Sequence, residues 1–249
     1  MSMSKPFIAD GISQEFDQIS VSKSIQTFLS SLDQKGEFRL PQRAYLATRY
    51  AIRNLQLPPG QTVLEREMAE MLGMSRTPVR EALVRLEMEG WVRLIPRRGF
   101  IVAPIAADDL RQIYEVVEAL DGIAGNLATE RATPEELDQL EHLIEEQEKV
   151  LKLGDLMTWT DLDEQFHQKI IDLAQNSRLR GIMDSQSDQI YRARLYTIKF
   201  RPKPIRSIMD HKAIVAAMRA GESEAVRMLL QSHRHRSRHE ILEVIQSMS

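Results

Sequence analysis

The chain has 249 residues, of which 43% are hydrophobic and 28% are charged, and its formal net charge is −3 at pH 7. This length and composition are typical of a globular protein with two domains, and the lack of cysteine excludes disulfides and thiolate metal sites. No apolar run approaches the roughly 20 residues that span a bilayer, and the first residues lack the apolar core of a signal peptide, so we expect a cytoplasmic protein.

The first 40 residues are polar and form an N-terminal extension. Within them Ile25, Phe28, Leu29 and Leu32 recur at helical spacing, which predicts one amphipathic helix from about residue 21 to residue 32. Two interpretations of this extension stay open, a flexible arm and a helix that packs on the following domain.

A support helix is predicted next, from about Ala44 to Leu55. Its inward residues are Tyr45, Ala51, Ile52 and Leu55, and the turn residues Pro58-Pro59-Gly60 end it.

The stretch from Glu65 to Leu83 predicts two short helices joined by a glycine turn. Gly73 stops the first helix, Ser75 is an N-cap for the second, and Pro78 lies in the first turn of the second. The apolar residues at helical spacing in the first helix are Met68, Ala69 and Leu72. This pattern predicts a helix-turn-helix.

The second of these helices begins with polar side chains. Arg76, Thr77 and Arg80 fall at its exposed N-terminal end, where a recognition helix meets base edges and phosphates in the major groove of DNA.

A β-hairpin with a cationic tip is predicted after the recognition helix. Val79, Leu83, Leu86 and Met88 continue the apolar pattern as far as Gly90. Two short β-rich runs follow, Trp91 to Ile95 and Phe100 to Val102, and they flank Pro96-Arg97-Arg98-Gly99. Three helices and a hairpin predict a winged helix-turn-helix domain over residues 41–104.

The charge of that domain is opposite to the charge of the rest of the chain. Residues 41–104 hold ten Arg and no Lys against six Glu, a net charge of +4 within a chain of −3. A polyanionic partner is therefore expected for this part alone. Arg85 and Arg93 are interpreted as solvated, whereas a cluster on the turn, helix start and hairpin tip indicates DNA contact: Arg66, Arg76, Arg80, Arg97 and Arg98.

An all-α bundle is predicted for residues 105–249, and such a bundle can hold a ligand between its helices. The predicted helices cover about 107–130, 134–153, 156–174, 178–198, 204–220 and 222–247. The breaks between them are Thr133-Pro134, Gly154, Asn176, Arg201-Pro202-Lys203-Pro204 and Gly221.

Four residues of this bundle have the chemistry of a metal site. Asp163 and His167 are four apart on one predicted helix and project from the same face, while His211 and His233 lie on the last two helices. Three imidazoles and a carboxylate are ligands for Zn, Ni, Mn or Fe. From spacing alone, surface or hydrogen-bonded histidines are the more common interpretation.

The other histidines are interpreted as exposed. His235 and His239 lie in a run of alternating basic residues that predicts a solvated cationic face, and His142 lies among glutamates.

Two parts of the chain resemble one known family. Residues 41–104 are similar to the winged helix-turn-helix of the GntR family of bacterial transcription regulators, through Ser75 to Leu83, Leu86 and Gly90-Trp91-Val92. Residues 108–245 resemble the FCD ligand-binding domain of its FadR-type subgroup. That similarity is carried by Asp163, Phe166-His167, Asn176, Asp210 to Ile214 and Gly221 to His233.

The resemblance implies site residues. FCD domains commonly bind a divalent metal through one Asp and three His, and here Asp163, His167, His211 and His233 occupy those motif positions. The family positions that contact DNA correspond to Arg66, Arg76 and Arg80, with Arg98 and Gly99 at the wing tip.

One position departs from the family pattern. Val117 stands where many members have an Arg that anchors a carboxylate effector, and Arg192 or Arg194 would have to take its place. The resemblance implies a homodimeric regulator, usually a repressor, that reads a short palindrome and is controlled by a small organic acid or sugar acid. Two alternatives from other classes stay open, a metal-dependent hydrolase and an architectural DNA-binding protein without an effector.

Overall fold

The computed structural model describes residues 18–34, 36 and 38–248. The fold is mainly α-helical and divides into two compact units, one that ends at Ile105 and one that begins at Ala106. None of the helices in the described ranges is both long enough and apolar enough to cross a membrane.

The first unit is a winged helix-turn-helix. Its elements are α1 (Gln18–Asp33), α2 (Leu40–Arg53), β1 (Thr62–Val63), α3 (Glu65–Leu72), α4 (Arg76–Met88), β2 (Val92–Ile95) and β3 (Gly99–Val102). The three strands form one antiparallel sheet with β3 in the centre, in which Ile101 pairs with Thr62 on one side and with Arg93 on the other.

The N-terminal helix α1 packs into the core of this unit. Ile25 and Leu29 are buried in the same cluster as the inward residues of α2, α3 and α4, and Phe28 stacks on Tyr50 with ring centroids 4.2 Å apart. The predicted helix is confirmed and begins three residues earlier, and over these residues it is a packing helix. Residues 1–17 lie outside the described ranges.

Four details of the first unit differ from the predictions. Helix α2 begins at Leu40 because Pro41 occupies its first turn, where a missing N–H costs nothing. Leu55 lies beyond the end of α2 with a φ of 57° and is only half-buried, while Leu57 fills the core instead. Met88 is 78% exposed, so it does not continue the apolar face of α4. Strand β1 was not predicted, because its two residues are too few to give a periodic pattern in the sequence.

The turn between α3 and α4 follows the sequence pattern. Gly73 ends α3 in the left-handed region at a φ of 63°, which glycine adopts without steric cost. Ser75 is the N-cap residue of α4, although its side chain makes no capping hydrogen bond.

The second unit is an all-helical bundle, as predicted. Its helices are α5 (Ala107–Arg131), α6 (Pro134–Lys152), α7 (Leu156–Leu173), α8 (Ser177–Thr197), α9 (Ile205–Arg219) and α10 (Ser223–Ser247), with a 3₁₀ turn at Ile198–Phe200. Every boundary lies within one residue of its prediction. Local chemistry explains this, because Thr133 and Glu136 form a capping box before α6 and the Asn176 side chain caps α8.

Helices α5 and α10 pack closely because α5 presents glycine to α10. A Cβ built on Gly125 would lie against the Cδ1 atom of Leu230 and 2.9 Å from the Cγ1 atom of Val226, and both of those side chains are buried. The two helices therefore approach to a distance that a larger side chain would prevent.

We expect Gly125→Ala to destabilise the protein. Forced overpacking typically costs about 1–3 kcal/mol, more than the helix propensity of about 1 kcal/mol that alanine gains over glycine. Gly181→Ala is the matched control, since Gly181 lies within α8 and its added Cβ would meet nothing within 4 Å. Chemical denaturation should show a loss of stability at position 125 and no loss at position 181. Equal stability of both variants would contradict the close approach.

Candidate functional site

The start of α4 presents polar side chains to solvent. Its buried residues are Pro78, Val79, Ala82, Leu83 and Leu86. Helical periodicity therefore leaves Arg76, Thr77 and Arg80 exposed. Arg80 is 73% exposed, and its Nε lies 3.8 Å from the Oε1 of Glu65, a surface ion pair of little strength. Arg66 is exposed on α3.

The wing tip is a tight turn that exposes two cations. The backbone N–H of Arg98 donates to the carbonyl of Ile95 at 2.9 Å, and Arg97 between them has a φ of 66°. Gly99 follows at a φ of 84°, and a Cβ there would lie 2.8 Å from the Cδ2 of Leu64. Gly99 thus lets the tip approach the chain before α3, while the Arg97 and Arg98 side chains are exposed.

Four metal-ligating side chains meet inside the helical unit. Asp163 and His167 come from α7, His211 from α9 and His233 from α10. One potential ligand atom from each lies within 4.8 Å of the others, and all four residues are buried. The ring centroids of the three histidines are 4.9 to 5.3 Å apart. The structure therefore brings together the four residues that the sequence singled out.

Several nitrogens of the cluster have no hydrogen-bond partner. Both ring nitrogens of His167 and the Nε2 of His211 are buried and unpaired. Buried polar atoms are normally paired, because an unpaired one costs about 1–3 kcal/mol. Nitrogen lone pairs turned toward a carboxylate are what a divalent metal needs, so this donor set fits such an ion.

Two of the histidines have an outer partner on Nδ1. The Nδ1 of His211 lies 2.9 Å from the Oε1 of Gln147, and the Nδ1 of His233 lies 3.2 Å from the Oδ2 of Asp210. Neither Gln147 nor Asp210 was predicted as a site residue. Gln147 belongs to a polar stretch of α6 without a distinguishing pattern, whereas Asp210 could have been noticed as the neighbour of His211.

A buried arginine contacts the carboxylate of the cluster. The Nη2 of Arg194 lies 2.7 Å from the Oδ2 of Asp163 and 3.3 Å from the Oε2 of Glu164, while the other carboxylate oxygen, Oδ1, faces the Nε2 of His211 at 3.5 Å. Burial alone would raise the pKa of Asp163, but Arg194 and the nearby histidines outweigh that effect and lower it. Asp163 is therefore an anion at neutral pH.

Two histidines of the cluster are neutral. Burial lowers the pKa of His211 to about 3 and holds the pKa of His167 well below its ordinary value, because an imidazolium inside the bundle would lose its hydration. Neutral imidazole is the form that binds metals.

The remaining candidates occupy different surroundings. Arg192 is buried two residues before Arg194, so its side chain leaves α8 in a different direction, and burial lowers its pKa to about 10. His142 and His235 have side chains 68% and 53% exposed, and His239 is exposed as well. These three are surface residues, as predicted.

We expect the metal-free protein to lose stability as the pH falls below about 6.5, the ordinary pKa of histidine in an unfolded chain. Between that pH and the folded-state pKa of about 3 for His211, the unfolded chain binds a proton that the folded chain does not. Each such histidine lowers the free energy of unfolding by about 1.4 kcal/mol per pH unit of acidification. Urea denaturation of chelator-treated protein from about pH 7 to pH 4.5 measures the slope.

Two variants check the origin of that slope. His211→Asn should make it shallower, and the exposed control His142→Gln should leave it unchanged. A wild-type stability that stays constant over this pH range would contradict the burial of neutral histidines.

Comparison with known proteins agrees with both units. Residues 40–102 match the family model described as bacterial regulatory proteins, gntR family, and residues 112–236 match that of the FCD domain. The chain is 30% identical to the HTH-type transcriptional regulator YdhC of Bacillus subtilis, over 70% of this chain and 79% of that protein. It is 24% identical to the HTH-type transcriptional repressor RspR of Escherichia coli, over 77% and 84% of the two chains.

Solved structures give the same fold. The E. coli protein McbR/YncC superimposes with a TM-score of 0.72 over 83% of this chain and 99% of its own, at 23% sequence identity. The family models, the relatives and the fold agree. The chain belongs to the GntR family of bacterial transcription regulators, with an FCD domain after its winged helix-turn-helix.

Proposed function

We propose that this transcription regulator is a metal-dependent, effector-controlled repressor that binds DNA as a homodimer. DNA binding is assigned to residues 41–104, and metal and effector binding to residues 105–249. The observation that carries the proposal is the buried cluster of Asp163, His167, His211 and His233 with its unpaired nitrogens. Burying polar atoms without hydrogen-bond partners lowers the stability of the fold, and a helical unit that served only as a scaffold would have no reason to bear this cost.

The DNA-binding role follows from exposed cations on a recognition helix and wing. Arg76 and Arg80 are exposed and would read guanine, whose O6 and N7 accept a bidentate arginine in the major groove. Arg97 and Arg98 at the wing tip, with Arg66 on α3, would contact phosphates and position the protein. Two copies would read a palindrome whose half-site spacing is set by the dimer.

The metal would be held by Asp163, His167, His211 and His233. Zn, Ni, Mn and Fe all accept such a set of imidazole and carboxylate ligands. When bound, the ion would supply a Lewis-acidic site for an oxygen ligand such as a carboxylate. The protein's own contribution is a buried site in which the donor atoms already lie close together.

The effector would be a small organic acid or sugar acid. Arg194 is its candidate anchor, because its Nε and Nη1 are buried without partners while its Nη2 contacts Asp163 beside the cluster. A carboxylate that reached both the cluster and Arg194 would pair those N–H groups. These contacts support Arg194 over Arg192 as the anchor, which would lie on α8 in place of the cation that Val117 does not supply on α5. A thermal-shift screen of carboxylates and sugar acids on metal-loaded protein would identify the ligand class.

Repression would be relieved by population shift. An inducer releases DNA only if it binds the DNA-incompetent arrangement of the dimer more tightly than the competent one. The repressor role is supported by the similarity to RspR, whose name describes a repressor.

We expect Arg80→Ala to weaken specific DNA binding without unfolding the protein, because Arg80 is exposed on the recognition helix. Loss of a bidentate base contact should cost roughly 1–3 kcal/mol and relax specificity at one base pair. The measurement is fluorescence anisotropy with a duplex selected by the wild-type protein from a random library. Arg93→Ala removes the same charge from an exposed position on β2 and is the control. Unchanged affinity of Arg80→Ala would remove Arg80 from the DNA contacts.

We expect His211→Ala and His233→Ala each to reduce metal content and lower the thermal midpoint of metal-loaded protein, because each removes a ligand from one shared ion. Metal content is measured after exhaustive dialysis and reloading with Zn²⁺. His235→Ala is the control, since His235 lies two residues from His233 on α10 and is exposed. Equal metal content in wild type and both variants would reject the site.

A further inference from the structure

Gln147 of α6 bridges two of the helices that carry the cluster. Its side chain is fully buried. On one side its Nε2 donates to the backbone carbonyl of Leu162, the residue before Asp163 on α7, at 3.2 Å. On the other side its Oε1 lies 2.9 Å from the Nδ1 of His211 on α9.

The orientation of the Gln147 amide is determined by the first of these contacts. A backbone carbonyl can only accept a hydrogen bond, so the NH₂ group of the amide must face Leu162. The amide oxygen must then face His211. Because that oxygen is itself only an acceptor, it pairs with His211 only when Nδ1 of the imidazole carries the proton.

This pairing leaves Nε2 of neutral His211 with a free lone pair. That nitrogen is buried without a hydrogen-bond partner and faces the Oδ1 of Asp163 at 3.5 Å. We propose that Gln147 is a positioning residue, which fixes His211 in the Nδ1–H tautomer so that Nε2 is the nitrogen offered to the metal. The proposal rests on the metal site proposed above, but the tautomer exists with or without the ion.

The three histidines differ in this respect. The Nδ1 of His233 faces the carboxylate of Asp210, which also accepts from Arg236, whereas neither nitrogen of His167 has a partner. For His211 the tautomer depends on one neutral amide. Without that amide, the proton of neutral His211 could occupy Nε2 instead of Nδ1, and the ring could rotate. Either change would lower the affinity for the metal.

The test uses the full-length protein and Zn²⁺ as the probe. Gln147→Met keeps the length of the side chain but removes the acceptor, and it should weaken Zn²⁺ binding by roughly 10–100-fold in competition with a chromophoric chelator. Gln147→Glu keeps an acceptor opposite Nδ1 of His211 but loses the donor to the Leu162 carbonyl, and it should bind Zn²⁺ more tightly than Gln147→Met. Gln139→Met, at an exposed position on the same helix, controls for the added thioether. Wild-type affinity in Gln147→Met would overturn the proposal.

A second measurement reads the tautomer directly. In metal-free protein, ¹⁵N NMR of the imidazole should show a protonated Nδ1 and an unprotonated Nε2 for His211, assigned by comparison with His211→Asn. Gln147→Met should lose this preference for a protonated Nδ1, and Gln147→Glu should keep it. If Gln147→Met fails to fold, the wild type and Gln147→Glu still test the proposal. A protonated Nε2 in the wild type would overturn the proposal. A wild type that has the expected tautomer but retains no Zn²⁺ would reject the metal site and leave only the assignment of the His211 tautomer to Gln147 standing.

Discussion

The helical unit is organised around four buried donor groups, two of which have nitrogens without a hydrogen-bond partner. His167 and His211 contribute nitrogens without hydrogen-bond partners to an interior where such atoms cost free energy. Asp163 adds a negative charge whose partner, Arg194, also contacts Glu164. A hydrophobic core would be the easier solution for packing these helices. The structure instead concentrates polar atoms without hydrogen-bond partners at one point, and the chemistry of that point fits a ligand of positive charge.

The surrounding helices hold those donors in place. The capping groups at Thr133 and Asn176 define where α6 and α8 begin, and Gly125 lets α5 approach α10, which carries His233. Gln147 links the backbone of α7 to His211 on α9. Helix capping, close packing and hydrogen bonding thus all fix the positions of the donor atoms. Such an arrangement preorganises a site for its ligand.

The sequence predicted the helices from local signals, and it predicted the four cluster residues from residue type and spacing together with the resemblance to the FCD domain. Helix ends are determined by neighbouring residues such as Thr133 and Glu136, and Asp163 and His167 share a face by spacing alone. Tertiary partners leave no such signal. Gln147 contacts His211 across 64 positions of sequence, and the choice of Leu57 over Leu55 for the core depends on the path of the chain after α2. The two-residue strand β1 exists only because β3 pairs with it.

X-ray absorption at the metal K-edge of the Zn²⁺-loaded full-length protein tests the central claim most directly. The account predicts one tightly held ion per chain with imidazole scattering from His167, His211 and His233 and with an oxygen ligand from Asp163. Loss of one imidazole in His211→Ala would assign the signal to this cluster. A retained ion without imidazole ligands, or a protein that holds no ion after loading, would contradict the account.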